Sequence, residues 1–134
     1  MRHLDHVSIG VVVTDERLFI EFWNSCMEDW TGIPRRQALG KELQELFPHF
    51  GEKTYQARLK LLLEGGAPVI FSYQLHGCLF PPRSKNAEPR VQHVTVTLDR
   101  DAAGSPLLFF SVEDRTEVSM RVRAAREEIG RAHV

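Results

Sequence analysis

Val94, Val96 and Leu98 alternate with His93, Thr95 and Thr97. After a turn from Asp99 to Pro106 that holds Gly104, the alternation resumes through Leu107–Glu113, with Leu108, Phe110 and Val112 on one face. Successive side chains of a strand point to opposite faces, so a period of two marks strands with one apolar face. Val69, Phe71, Tyr73 and Leu75, alternating with Ile70, Ser72, Gln74 and His76, predict a third strand before them. Sheets of this kind must be covered on the apolar side, and the rest of the chain has to supply the cover.

The first half opens with two more β-rich runs, Ile9–Thr14 and Leu18–Trp23, split by the turn-like Thr14-Asp15-Glu16-Arg17, which reads as a hairpin. At Asn24 the period changes. Asn24 or Ser25 can cap a short helix that carries Met27 and Trp30 and ends at Thr31-Gly32. Pro34 fits the first turn of a second helix, because its missing N–H would be unpaired there anyway, and Gly40 can stop it. Lys41–Phe47 makes a further turn, and Tyr55, Leu59, Leu62 and Leu63 predict a longer helix over Glu52–Glu64, closed by Gly65-Gly66. A Pro- and charge-rich stretch from Phe80 to Pro89 reads as a loop.

With 134 residues the chain suits one domain with a core of its own. Seventeen basic residues against eighteen acidic ones give no electrostatic footprint for nucleic acid, and Arg35-Arg36 is only a doublet. No apolar run approaches the roughly 20 residues needed to cross a bilayer, so no membrane partner is expected. Cys26 and Cys78 lack CxxC spacing and read as reduced thiols, which points to a cytoplasmic protein.

The element order β-β-α-α-α-α-β-β-β resembles the PAS family, and local signatures follow it. Gly10-Val11-Val12-Val13-Thr14-Asp15 resembles the first strand and turn, and Trp23-Asn24 the junction with the first helix. Trp30-Thr31-Gly32-Ile33 with Leu39-Gly40-Lys41 resembles the family's TG…(I/L)G(K/R) segment. Asp114-Arg115-Thr116-Glu117 resembles the element closing the last strand. The resemblance implies an α+β, PAS-like fold: a five-stranded antiparallel sheet, short helices packed on one face, and a C-terminal signalling helix. Residues 1–117 read as the sensor domain and 118–134 as the start of a heptad-patterned helix, a linker to an effector outside this sequence.

In that family a cavity between sheet and helices holds the ligand when there is one. Trp23, Trp30, Phe47, Phe71, Tyr73 and Phe110 are the candidate walls, and Asn24, Tyr73 and Gln92 the candidate polar contacts for a small molecule. No cofactor is required. Flavin is disfavoured because Asn24-Ser25-Cys26-Met27 lacks the cysteine-bearing helix of light-sensing members. Haem is disfavoured because Glu52–Glu64 holds no His, and His49 lies upstream. His76-Gly77-Cys78 places two donors together, short of the three or four that a metal needs, so no metal is expected. No catalytic residue is assigned, since neither a phosphate loop nor a nucleophile–base pair is recognisable, and the chain is not expected to be an enzyme by itself.

Asp114 and Glu117 have capping-box spacing, with Asp114 expected to accept from the third helical N–H. Behind them Val118, Val122, Ala125, Ile129 and Ala132 recur at a/d spacing, flanked by Arg121, Arg123, Arg126, Glu127 and Glu128. Asp114, Thr116, Glu117, Val118, Val122, Ala125 and Ile129 are therefore the candidate signal-transfer residues, and a homodimer is expected. The resemblance favours a diguanylate cyclase (GGDEF) effector in cyclic-di-GMP signalling, on the Leu75-His76-Gly77-x-Leu79-Phe80-Pro81 segment and the Arg/Glu-rich helix. A sensor histidine kinase, which also needs dimeric input, is the alternative, and a ligand-free protein-interaction module is a third.

Overall fold

The computed structural model describes residues 9–132; the side chains of 117–120 and 130–132 fall outside that description, as do residues 1–8. Strands β1 (Ile9–Asp15), β2 (Ile20–Trp23), β3 (Val69–Phe71), β4 (Gln92–Arg100) and β5 (Pro106–Asp114) form one sheet in the order β2-β1-β5-β4-β3. Each neighbouring pair is antiparallel. Helices α1 (Ser25–Thr31), α2 (Arg35–Ala38), α3 (Leu43–Leu46), a 3-10 turn (Pro48–Gly51) and α4 (Lys53–Gly65) lie between β2 and β3. The exit helix α6 (Thr116–Ala132) follows β5, and the single turn α5 (Tyr73–His76) follows β3.

The alternation in β4 and β5 does what its period implies. Val94 and Val96 of β4, with Leu108, Phe110 and Val112 of β5, are fully buried under the helices. In register, Val94 faces Val112 and Val96 faces Phe110, so one apolar row crosses the sheet and continues to Val12 of β1. Tyr55, Leu59 and Leu62, one face of α4, close over that row. Gly66, at φ +74°, ends α4 in the left-handed region that a side chain disfavours.

The β1–β2 hairpin departs from the expected form at its turn. The second strand begins at Ile20 rather than Leu18. Asp15 Oδ1 accepts from the N–H groups of Arg17 and Phe19, both at 2.9 Å, and Leu18 takes φ +70°. A left-handed leucine is strained by about 1–2 kcal/mol. Its side chain is 5% exposed, and burial worth about 1.5–3 kcal/mol offsets the strain.

The third strand is shorter than the alternation predicts. It stops at Phe71, and Tyr73 to Leu75, expected to continue it, instead make a turn of helix in which the Leu75 and His76 N–H groups donate to Ser72 O. The turn carries the His76 ring back to 5.1 Å from Phe71 and 5.8 Å from Tyr55. Arg58 of α4 holds it there, with Nη1 2.7 Å from His76 Nε2 and Nη2 donating to Ile70 O at 2.8 Å. These contacts join α4 to the turn, and a strand running on past Phe71 would forgo them. Tyr73 and Leu75 are consequently 40% and 81% exposed.

Candidate functional site

The helices and the sheet enclose a cluster of aromatic rings. Trp23 of β2 stacks on Phe47 at 6.2 Å, and its indole N–H donates to Ile33 O at 3.0 Å. Phe71 stacks on Tyr55 at 5.6 Å, and Phe50 meets Phe110 edge-on at 6.2 Å. Four of the candidate wall residues, Trp23, Phe47, Phe71 and Phe110, are thus brought into one core.

The other candidates stand elsewhere or are already engaged. Trp30 is partly buried, faces Gly10, and has the Arg90 guanidinium 5.7 Å above its ring. A Cβ on Gly10 would run into Met27 Sδ and the Trp30 ring, so this glycine is what lets β1 and α1 approach. Tyr73 is at the surface, for the reason given above. Asn24 is buried, but its Oδ1 accepts from Val11 N at 3.1 Å and Met27 N at 3.2 Å, and its Nδ2 donates to Ile9 O at 3.0 Å. One side chain thereby caps α1 and fastens it to β1. Gln92 is 1% exposed; its Oε1 accepts from Phe80 N at 2.9 Å and its Nε2 donates to Phe80 O at 3.0 Å.

That pairing exposes what sequence reasoning missed. Phe80, read as the start of a loop, is fully buried at the centre of the ring cluster. Its ring centroid is 6.4 Å from Trp23, 5.2 Å from Phe47, 5.5 Å from Phe50 and 6.1 Å from Phe110. Such spacings are ordinary aromatic packing, so Phe80 occupies the middle of the core. Leu79 beside it is 1% exposed. The only signal for these residues was an apolar pair, Leu79-Phe80, just ahead of Pro81-Pro82. Phe50 was likewise missed, hidden in a turn with no period.

Three ionisable groups border this core. His49 Nε2 lies 2.9 Å from Leu79 O, and because a carbonyl only accepts, Nε2 carries the proton. Burial lowers the His49 pKa, while the bond to Leu79 and the charge of Glu52 partly restore it. His76 is also lowered, by burial and then by the Arg58 cation. Burial pushes the Cys78 thiol up to about 11, against backbone hydrogen bonds at Phe80 and Arg90, so it stays protonated at neutral pH. Neither cysteine is in a disulfide. Among the described residues no three His, Cys, Asp or Glu side chains converge as a metal site would require, and no helix is long and apolar enough to cross a membrane.

The second part of the site is the junction between β5 and α6. Asp114 Oδ1 accepts from the Thr116 N–H at 3.0 Å and from its hydroxyl, while Oδ2 pairs with Arg90 Nη1 at 2.7 Å. Thr116 Oγ1 in turn accepts from Val91 N at 2.8 Å, and Arg115 N donates to Val91 O at 2.7 Å. The expected capping box is therefore modified: Asp114 accepts from the second residue after it, not the third, and the Glu117 side chain lies outside the described residues. Burial disfavours the charged carboxylate of Asp114, but the Thr116 and Arg90 hydrogen bonds outweigh it and hold the pKa below the ordinary range. Of the apolar seam, Val122 and Ile129 are 45% and 61% exposed and Ala125 is exposed; the Val118 and Ala132 side chains are outside the description.

A model of the family described as "PAS fold" matches residues 4–119. The chain belongs to the PAS-fold family. Solved structures agree on the architecture. A sensory box sensor histidine kinase from Vibrio cholerae is 19% identical with a TM-score of 0.64, covering 84% of this chain and 86% of that one. The PAS domain of nitrogen regulation protein NR(II) from Vibrio parahaemolyticus is 16% identical with a TM-score of 0.62, over 84% and 94%. The PAS domain of the Cronobacter turicensis quorum-sensing receptor RpfR, in complex with BDSF, is 12% identical with a TM-score of 0.54, over 81% and 95%. No curated protein sequence is similar to the chain at a meaningful level.

Proposed function

We propose that residues 1–117 are a cytoplasmic sensory and dimerisation domain, non-enzymatic in itself, and that 118–134 begin the helix that passes its state to a C-terminal effector. The observation that carries this reading is the Asp114–Thr116–Val91 junction, which ties the start of α6 to β5 and to the segment entering β4. A shift of the sheet edge relative to β5 would be felt at the first turn of that helix. Beyond it, the half-exposed Val122 and Ile129 stand at the a/d spacing at which a second copy could pack.

The effector assigned is a diguanylate cyclase (GGDEF), on the resemblance of the 75–81 segment and the Arg/Glu-rich helix to domains that precede it. A histidine kinase is the second reading, supported by the sensor kinase among the similar structures. Assaying the parent protein separates them, by conversion of GTP to cyclic di-GMP or by ATP-dependent phosphorylation of a histidine. Neither activity would remove the assignment. For dimerisation, Val122→Asp with Ile129→Asp should raise the monomer fraction in sedimentation, because it buries charge in an apolar seam. An unchanged dimer would place the interface outside α6.

A further inference from the structure

Leu79 and Phe80 are the fully buried pair in residues 77–91, a segment with neither strand nor helix whose other residues are partly or fully exposed. Loops this long without regular structure are uncommon in compact domains and are found disproportionately at lids and binding sites. Here the buried pair behaves like a bound molecule. Its apolar part is the Phe80 ring, surrounded by Trp23, Phe47, Phe50 and Phe110. Its polar part is backbone amide, and side chains of the surrounding body meet it: the Gln92 amide takes both the N–H and the C=O of Phe80, and His49 Nε2 donates to Leu79 O. Drawn outward, the segment would leave an aromatic-walled space facing one amide donor, one amide acceptor and one imidazole N–H.

We infer that Leu79–Phe80 is a built-in occupant of the sensory site, and that the ligand is an uncharged molecule that replaces it: a phenyl-sized apolar group joined to an amide or an equivalent donor–acceptor pair. This rests on the sensor reading above. The ligand is taken as uncharged because the groups it would replace, a phenyl ring and a backbone amide, are themselves neutral, and a buried charge without a partner is strongly disfavoured. The same segment carries the means of reporting the exchange. Arg90, near its far end, pairs with Asp114, and Val91 bonds to both Arg115 and Thr116. Withdrawing the plug also breaks its bonds to Gln92, the residue after Val91, and so reaches the residues that start the exit helix. A ligand then shifts the domain between plugged and unplugged packings by binding only the second.

The probe is N-acetyl-L-phenylalaninamide, titrated calorimetrically into the whole chain and into its Phe80→Ala and Phe80→Leu variants. Phe80→Ala keeps the backbone amide but removes the ring that fills the aromatic space, so it should bind at least about tenfold more tightly than the natural chain, whose affinity is reduced by its plugged fraction. In the natural chain, saturating probe should speed amide exchange across residues 77–91 while leaving α4 protected. The inference is overturned if the natural chain takes up no probe, if it binds probe without faster exchange in 77–91, or if neither variant binds more tightly. Phe80→Leu, which keeps apolar bulk, carries the comparison should Phe80→Ala not fold. The effector and sedimentation assays use no probe, so failure of the sensor reading would show there independently.

Discussion

The side-chain amide of Gln92 forms a closed pair of hydrogen bonds with the backbone of Phe80, at 2.9 and 3.0 Å, as a neighbouring strand would. A glutamine at the first position of β4 thus extends the sheet's bonding to a segment that is not a strand. Gln92→Met keeps much the same volume but leaves the buried N–H and C=O of Phe80 unpaired. At about 1–3 kcal/mol for each of the two unsatisfied groups, unfolding in urea should show a loss of about 2–6 kcal/mol. A change under about 0.5 kcal/mol, the usual limit for an inconsequential surface substitution, would mean that the pair contributes little.

Leu18 gives an unusual ordering of substitutions. Leu18→Ala keeps the strained left-handed φ of +70° and loses the buried side chain, so it should destabilise by about 2–4 kcal/mol. Leu18→Gly loses the same side chain but relieves the backbone, and should be about 1 kcal/mol less damaging than alanine. Equilibrium unfolding of the two variants decides the matter; alanine proving the milder change would refute the strain argument.

Acid should weaken the fold through His76. Arg58 can only donate, so His76 Nε2 must accept and the ring must be neutral. Its folded pKa lies below the ordinary 6.5, so the unfolded chain takes up the proton first as pH falls. The stabilisation is present in full above that value and declines as pH drops below it towards the folded pKa. His49, lowered in the same direction, adds to the slope. Urea midpoints between pH 7.5 and 5 should decrease, and less steeply in His76→Gln. A midpoint that rises on acidification would contradict the neutral assignment.

Asp114 sets the first turn of α6. Asp114→Ala removes the acceptor for Thr116 and the partner of Arg90, and faster amide exchange is expected at Arg115–Thr116 and Val91, with β1 unaffected. Loss of one such cap is worth about 1 kcal/mol. Equal loosening of β1 and the junction would indicate a global effect and count against a local latch.

The sheet and the longer helix were legible because their apolar residues recur with one period over several turns: Val94–Val96–Leu98, Leu108–Phe110–Val112, and Tyr55–Leu59–Leu62. Asn24 was legible as one of two candidate caps, beside Ser25, but not as the residue that also fastens α1 to β1. The third strand was overextended because Tyr73 and Leu75 keep the alternating pattern; a contact across space, Arg58 to His76, curls the chain there. Phe80 was missed for the converse reason. Its burial depends on Gln92 and His49, partners that lie 12 and 30 residues from the groups they bind, and no local period records such distances.

The pairing of Ile9 with Glu113 has a consequence for how this fold could be joined to other segments. Because β1 and β5 are adjacent and antiparallel, the chain arrives and departs at the same end of the sheet, side by side. Neighbouring termini let a folded unit be inserted between two segments with little disturbance to their spacing. The domain has the geometry of an interchangeable cassette: set into another chain, it would hand the polypeptide on from β5 beside the point where β1 receives it.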